Sequence, residues 1–176
     1  MSSMDKWFFD QARRGNVFHT SNSVARITTV SNSGTGTGLA VFNPANSTKW
    51  LVMKNFTFAA TTDGTDTGSL CLVVHDALSV VILGTQTTAT VIHNAIARGS
   101  DVGVGVAIGS ESWVAAGTPV LIRGVLGQAT TVGEQQGSAK FNGDLIIPPG
   151  GMISTEAVGD VFTGVGSFTW AEVSPY

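Results

Sequence analysis

The sequence predicts an all-β fold, an antiparallel β-sandwich with the strand number of a jelly roll, carrying a short N-terminal arm or helix. Three observations predict it. Segments rich in Val, Ile and Thr recur along the chain, and such residues favour the pleated, half-buried surface of a strand. Turn signals separate them at intervals of about 8–12 residues, the spacing of a sandwich or barrel. No long segment carries the 3.6-residue apolar period of an amphipathic helix. Composition agrees: of 176 residues, 22 are Gly and 43% are hydrophobic, which suits one domain with a sizeable core.

Residues 1–16 stand apart as an N-terminal arm, and residues 17–176 form the sandwich domain. The arm holds Lys6, Arg13 and Arg14 and the aromatic run Trp7-Phe8-Phe9. Asp5 to Arg14 predicts a short helix in which Trp7 and Phe8 lie one turn from Gln11 and Ala12. Gly15-Asn16 ends it. The arm either packs on its own domain or docks on a neighbouring subunit.

Strand signals follow from Val17 onward. Val24 to Val30 is β-branched, and Ser31 to Gly38 reads as a loop. Leu39 to Phe42 is a short strand closed by Asn43-Pro44. Lys49 to Ala59 is the strongest strand. Its parity puts Trp50, Val52, Phe56 and Phe58 on the core face, with Leu51 and Met53 on the other. Thr61 to Gly68 is a polar tip, and Ser69 to His75 resumes as a strand. Val80 to Gly84, Thr87 to His93, Val102 to Val106, Pro119 to Leu126 and Asp144 to Ile147 continue the series. Pro148-Pro149-Gly150-Gly151 makes a corner. Met152 to Val158 and Val165 to Val173 finish the chain, with Phe168 and Trp170 sharing a face.

Charge bounds the function. Net charge is -3 and only 12% of residues are charged, against about 25% in an average soluble domain. That argues against direct nucleic-acid binding through a broad basic surface. A surface so poor in charge is expected to be covered by assembly with other subunits. The single cysteine, Cys71, excludes an intrachain disulfide framework. Apolar runs fall short of the roughly 20 residues that span a bilayer, and no signal peptide is evident in Met1 to Asp10. The chain is expected to be made in the cytoplasm, without membrane contact.

Candidate chemistry is sparse. Gly103-Val104-Gly105-Val106-Ala107-Ile108-Gly109 resembles a dinucleotide fingerprint but lacks the following helix that would complete one. Asp63 and Asp66 lack the ligand pattern of a calcium loop. Cys71 and His75 share a strand face but are too few for zinc, and no acid–base carboxylate pair or serine elbow stands out. No catalytic residue, cofactor or metal is therefore expected. Trp50, Trp113 and Trp170 raise the possibility of a sugar-stacking platform. Trp50 and Trp170 read as core, while Trp113, in a loop context, is the better partner or glycan contact.

Two phrases carry a resemblance. Gly38-Leu39-Ala40-Val41-Phe42-Asn43-Pro44-Ala45-Asn46-Ser47 and Ile146-Ile147-Pro148-Pro149-Gly150-Gly151, with Ser167 to Val173 after them, resemble phrases of tailed-bacteriophage virion structural proteins of the capsid decoration or cement type. The resemblance covers roughly residues 38–173. It implies a β-sandwich subunit, often a homotrimer, that sits on the capsid surface and bridges major capsid protein subunits without enzymatic activity. Together with the arm it gives Trp7, Phe8, Phe9, Arg13, Arg14 and Trp113 as expected partner-binding residues. The alternative is a receptor- or glycan-binding module of a head fibre or tail.

Overall fold

The computed structural model describes residues 2–21, 25–27, 35–37, 39–60, 69–75, 80–81, 92–95, 103–108, 112–115, 121–126, 136–158 and 162–175. A helix, α1 (Ser3–Arg13), leads into β1 (Val17–Ser21), β2 (Ala25–Ile27), β3 (Thr35–Thr37), β4 (Ala40–Phe42), β5 (Trp50–Ala60), β6 (Ser69–His75), β7 (Val80–Val81) and β8 (Ile92–Asn94). Then come β9 (Val106–Ile108), β10 (Ser112–Ala115), β11 (Leu121–Leu126), β12 (Gln136–Lys140), β13 (Ile146–Ile147), β14 (Met152–Val158) and β15 (Phe162–Val173). A seven-stranded sheet runs β12-β5-β15-β1-β8, with β13 also on β5 and β2 also on β15. A five-stranded sheet runs β11-β6-β14-β4-β9, and a small one runs β3-β10-β7. The predicted class, an antiparallel all-β sandwich, is the one observed.

The two larger sheets share one core. From the seven-stranded sheet come Phe18, Phe56, Phe58, Phe168 and Trp170; from the five-stranded sheet come Val41, Leu70, Leu72, Val74 and Ile153. Phe56 and Phe168 are register partners with ring centres 4.7 Å apart. Phe18 and Trp170 pair likewise, at 6.4 Å. Such aromatic pairs across a ladder stabilise it beyond the area they bury.

The parity of β5 differs from the alternation read in the sequence. Thr169 pairs with Asn55, but the next residue, Trp170, pairs with Met53. Lys54 is the extra residue of a β-bulge, and a bulge exchanges the faces on either side of it. Leu51 and Met53 therefore enter the core together with Phe56 and Phe58. Trp50 and Val52 turn outward, so Trp50 is half-buried at the surface rather than in the core.

α1 covers that outward face. Its N-terminus is a capping box: Ser2 Oγ accepts from the Asp5 N–H, and Asp5 accepts from the Ser2 N–H, which satisfies donors a helix leaves orphaned. Its C-terminus is a Schellman turn. Gly15 N–H donates to Ala12 O and Asn16 N–H to Gln11 O, with Gly15 at φ +76°, a conformation glycine adopts without strain. Phe8 packs with Val17, Val52 and Ala171, and Lys54 Nζ lies 5.5 Å from the centre of its ring. The arm is thus a helix docked on its own sheet.

Three further expectations change. The glycine-rich stretch read as a loop contains β3, whose Gly36 pairs with Trp113. Trp113 accordingly lies in a strand, β10, not a loop. Of the described part of the predicted Val102–Val106 strand, Val106 alone is in a strand, the start of Val106–Ile108, because Val104 and Gly105 donate their N–H groups to the buried Glu172 carboxylate. A Cβ on Gly103 would stand 2.7 Å from Glu172 Oε1. The apparent nucleotide fingerprint is a backbone segment in close contact with Glu172. The polar tip at 61–68, with Asp63 and Asp66, lies outside the described residues.

Candidate docking surface

α1 does not seal the outer face of the seven-stranded sheet completely. Beside it lies a cavity of about 480 Å³, lined by Met4, Trp7 and Gln11 of the helix, Trp50 and Val52 of β5, Ile146 of β13, and Val173 to Pro175 after β15. Ser3 and Gly143 complete the lining, and no lining side chain is charged. Gly143 lets the helix approach: at φ +89°, a Cβ there would lie 2.6 Å from Met4 Cε. Ile146 is 42% exposed at the edge of the groove. An apolar surface of this kind, left in water, is stabilised by a partner that covers it.

The predicted docking residues separate around the helix. Trp7 lines the groove and meets Phe8 edge to face at 4.8 Å. Phe8 is 2% exposed and committed to the chain's own sheet. Phe9 is 56% exposed; at 100° per residue it points roughly opposite to Gln11. Arg13 and Arg14 are exposed and, with Asp10, line a separate polar hollow. The Trp113 side chain lies outside the described residues. Trp50, Ile146 and Gln11 join the surface without having been singled out for it. The bulge at Lys54 brings Trp50 outward, and no sequence alternation signals it.

Other polar clusters hold the fold. His75 Nε2 lies 2.9 Å from Glu156 Oε1, and Ser154 Oγ lies 3.4 Å from the same nitrogen. A serine–histidine–acid relay needs its two partners on opposite ring nitrogens, so this arrangement does not activate Ser154. Burial, and after it the Glu156 charge, raise the pKa of the neighbouring Cys71 thiol, which keeps it protonated at neutral pH and unreactive. In the helix cap, the hydrogen bonds from Ser2 hold the pKa of the Asp5 carboxyl below its ordinary value. Among the described residues, no three His, Cys, Asp or Glu side chains converge as a metal site, and no helix is long and apolar enough to cross a membrane.

No protein-family model matches the chain, and no curated protein matches its sequence. Among solved structures it is similar to a chain of Cocksfoot mottle virus at 9% identity and TM-score 0.20, over 89% of this chain and 96% of that one. It is also similar to chains of infectious bursal disease virus. The Gx strain gives 13% identity and TM-score 0.18, and the Gt strain 16% and 0.19. The match covers 90% of this chain in each case, but only 41% and 42% of the viral chains. Scores of this size assign no family.

Proposed function

We propose that this protein is a non-enzymatic virion structural subunit that decorates a capsid surface, docking on the major capsid protein through the surface around α1. The observation that carries the reading is the uncharged groove beside α1, with two indoles in its lining and Ile146 on its edge. Binding there needs no cofactor and no titrating group. It removes apolar area from water at about 25 cal/mol per Å², less the cost of association. Exposed Arg13 and Arg14, around the separate polar hollow at the end of α1, add polar contacts that set orientation more than affinity. Repetition over a symmetric shell makes individually weak contacts sufficient.

The test is occupancy on capsids. Ile146→Asp places a charge in the groove while removing little from the core. It is expected to lower occupancy by about tenfold or more, with the thermal midpoint nearly unchanged. Full occupancy by a folded Ile146→Asp protein overturns the proposal. A glycan-binding role is the second reading, favoured by the two half-buried indoles with Gln11 and Ser174 beside them. Sugar binding that Trp50→Ala abolishes, with capsid occupancy intact, selects it instead.

A further inference from the structure

His19 of β1 and His93 of β8 are direct cross-strand partners, and their ring centres stand 5.7 Å apart with planes inclined at 34°. The sequence separates them widely, so only the fold brings them together. Both alternate with inward-facing neighbours: Phe18, Thr20 and Asn94 are buried, whereas His93 is exposed and His19 half-buried. The pair therefore lies on the outer face of the seven-stranded sheet, on the strand that ends its path, β8.

We propose that this pair is a two-imidazole site for a divalent transition-metal ion of the zinc, nickel and copper class, with water completing the coordination. Metal–nitrogen bonds are about 2.05 Å, and each ring centre lies about 1.15 Å behind its nitrogen, so each centre stands about 3.2 Å from the metal. Two such rings are about 5.2 Å apart at a tetrahedral angle and about 6.4 Å apart when opposed across the metal. The observed separation falls between these limits. Each imidazole can ligate through one nitrogen while the other keeps a hydrogen bond that fixes its orientation. No third His, Cys, Asp or Glu joins them among the described residues. The site is thus an open, exchangeable chelate rather than a closed structural one, and by ligand type it favours Cu(II) over Ni(II) and Zn(II). A bound ion ties β8 to β1.

The experiment titrates the full chain with Zn(II), and separately with Cu(II), in a non-chelating buffer at pH 7.5, by calorimetry. One ion per chain is expected. His19→Ala and His93→Ala should each weaken binding by at least about tenfold. Zinc should raise the thermal midpoint of the parent chain but of neither variant. His93→Gln, which keeps a polar side chain at the exposed position, serves if His93→Ala fails to fold. Absence of binding by the parent chain, or a loss smaller than about tenfold in either folded variant, overturns the site.

Discussion

Asn43 shows how much a single side chain carries. It is fully buried, and its amide donates to Lys49 O and Ile147 O. Its backbone N–H meets Gly151 O, and Gly150 N–H returns to Asn43 O. The two phrases that carry the family resemblance, around Asn43-Pro44 and around Pro148 to Gly151, are therefore one structural unit, clasped by one amide. Gly150 supports it at φ +87°, where a side chain would be strained. Asn43→Asp replaces two donors by carboxylate oxygens facing carbonyls. It is expected to cost about 3–5 kcal/mol, whereas Asn43→Ala costs about 1–3 kcal/mol. Urea unfolding measures both, and equal stabilities for Asn43→Asp and the parent chain would contradict the assigned hydrogen bonds. Neither phrase reveals the other in the sequence, because the bond between them spans 104 positions.

At the scale of the element, α1 and β5 mark where sequence reading succeeds and where it stops. The helix was legible from its C-terminal end, where Gly15-Asn16 supplies the Schellman turn at the predicted stop, whereas its start is at Ser3 rather than Asp5. Its buried face was not, because Trp7, Phe8 and Phe9 are consecutive and each points about 100° from the next, so three aromatics cannot all face the sheet. The structure gives Phe8 the core, Trp7 the groove and Phe9 the solvent. Phe8→Ala is accordingly expected to destabilise the domain by about 3–5 kcal/mol, and Phe9→Ala to stay within about 0.5 kcal/mol. Thermal or urea unfolding of the two variants side by side checks the order, and a larger loss for Phe9→Ala would reverse it. In β5 the strand itself was plain from its apolar density. Its faces were not, since a one-residue bulge at Lys54 leaves no mark in composition yet moves Trp50 from core to surface. The same helix packing explains why removing residues 1–16 is a poor test of docking. Truncation uncovers Val52 and Ala171, so the loss of a contact and the loss of fold would coincide.

For the whole molecule, the all-β class was readable, but strand number and order were not: the described residues hold fifteen strands in three sheets, more than the eight of a jelly roll. β5 and β15 form the longest ladder, Gly164 to Val173 against Ala60 to Trp50, although most of the chain lies between them; antiparallel pairing at such distance is set by the collapsed core, not by local signals. Assembly is the level at which composition speaks most directly. A net charge of -3 and 12% charged residues leave little electrostatic repulsion to keep copies apart. Self-association follows as a prediction, and a trimer is the form that the resemblance to capsid decoration proteins implies. Light scattering on the full chain should give about three times the 18.2 kDa of one chain, by closed point-group symmetry. The Ile146→Asp variant separates two uses of the groove. If the groove takes the capsid partner, the variant stays trimeric and loses only capsid occupancy. If the variant falls to a monomer, the groove joins the copies to one another, and capsid docking must use another face. A parent chain that is monomeric at every concentration would contradict the trimer itself, leaving a subunit that assembles only on its host particle.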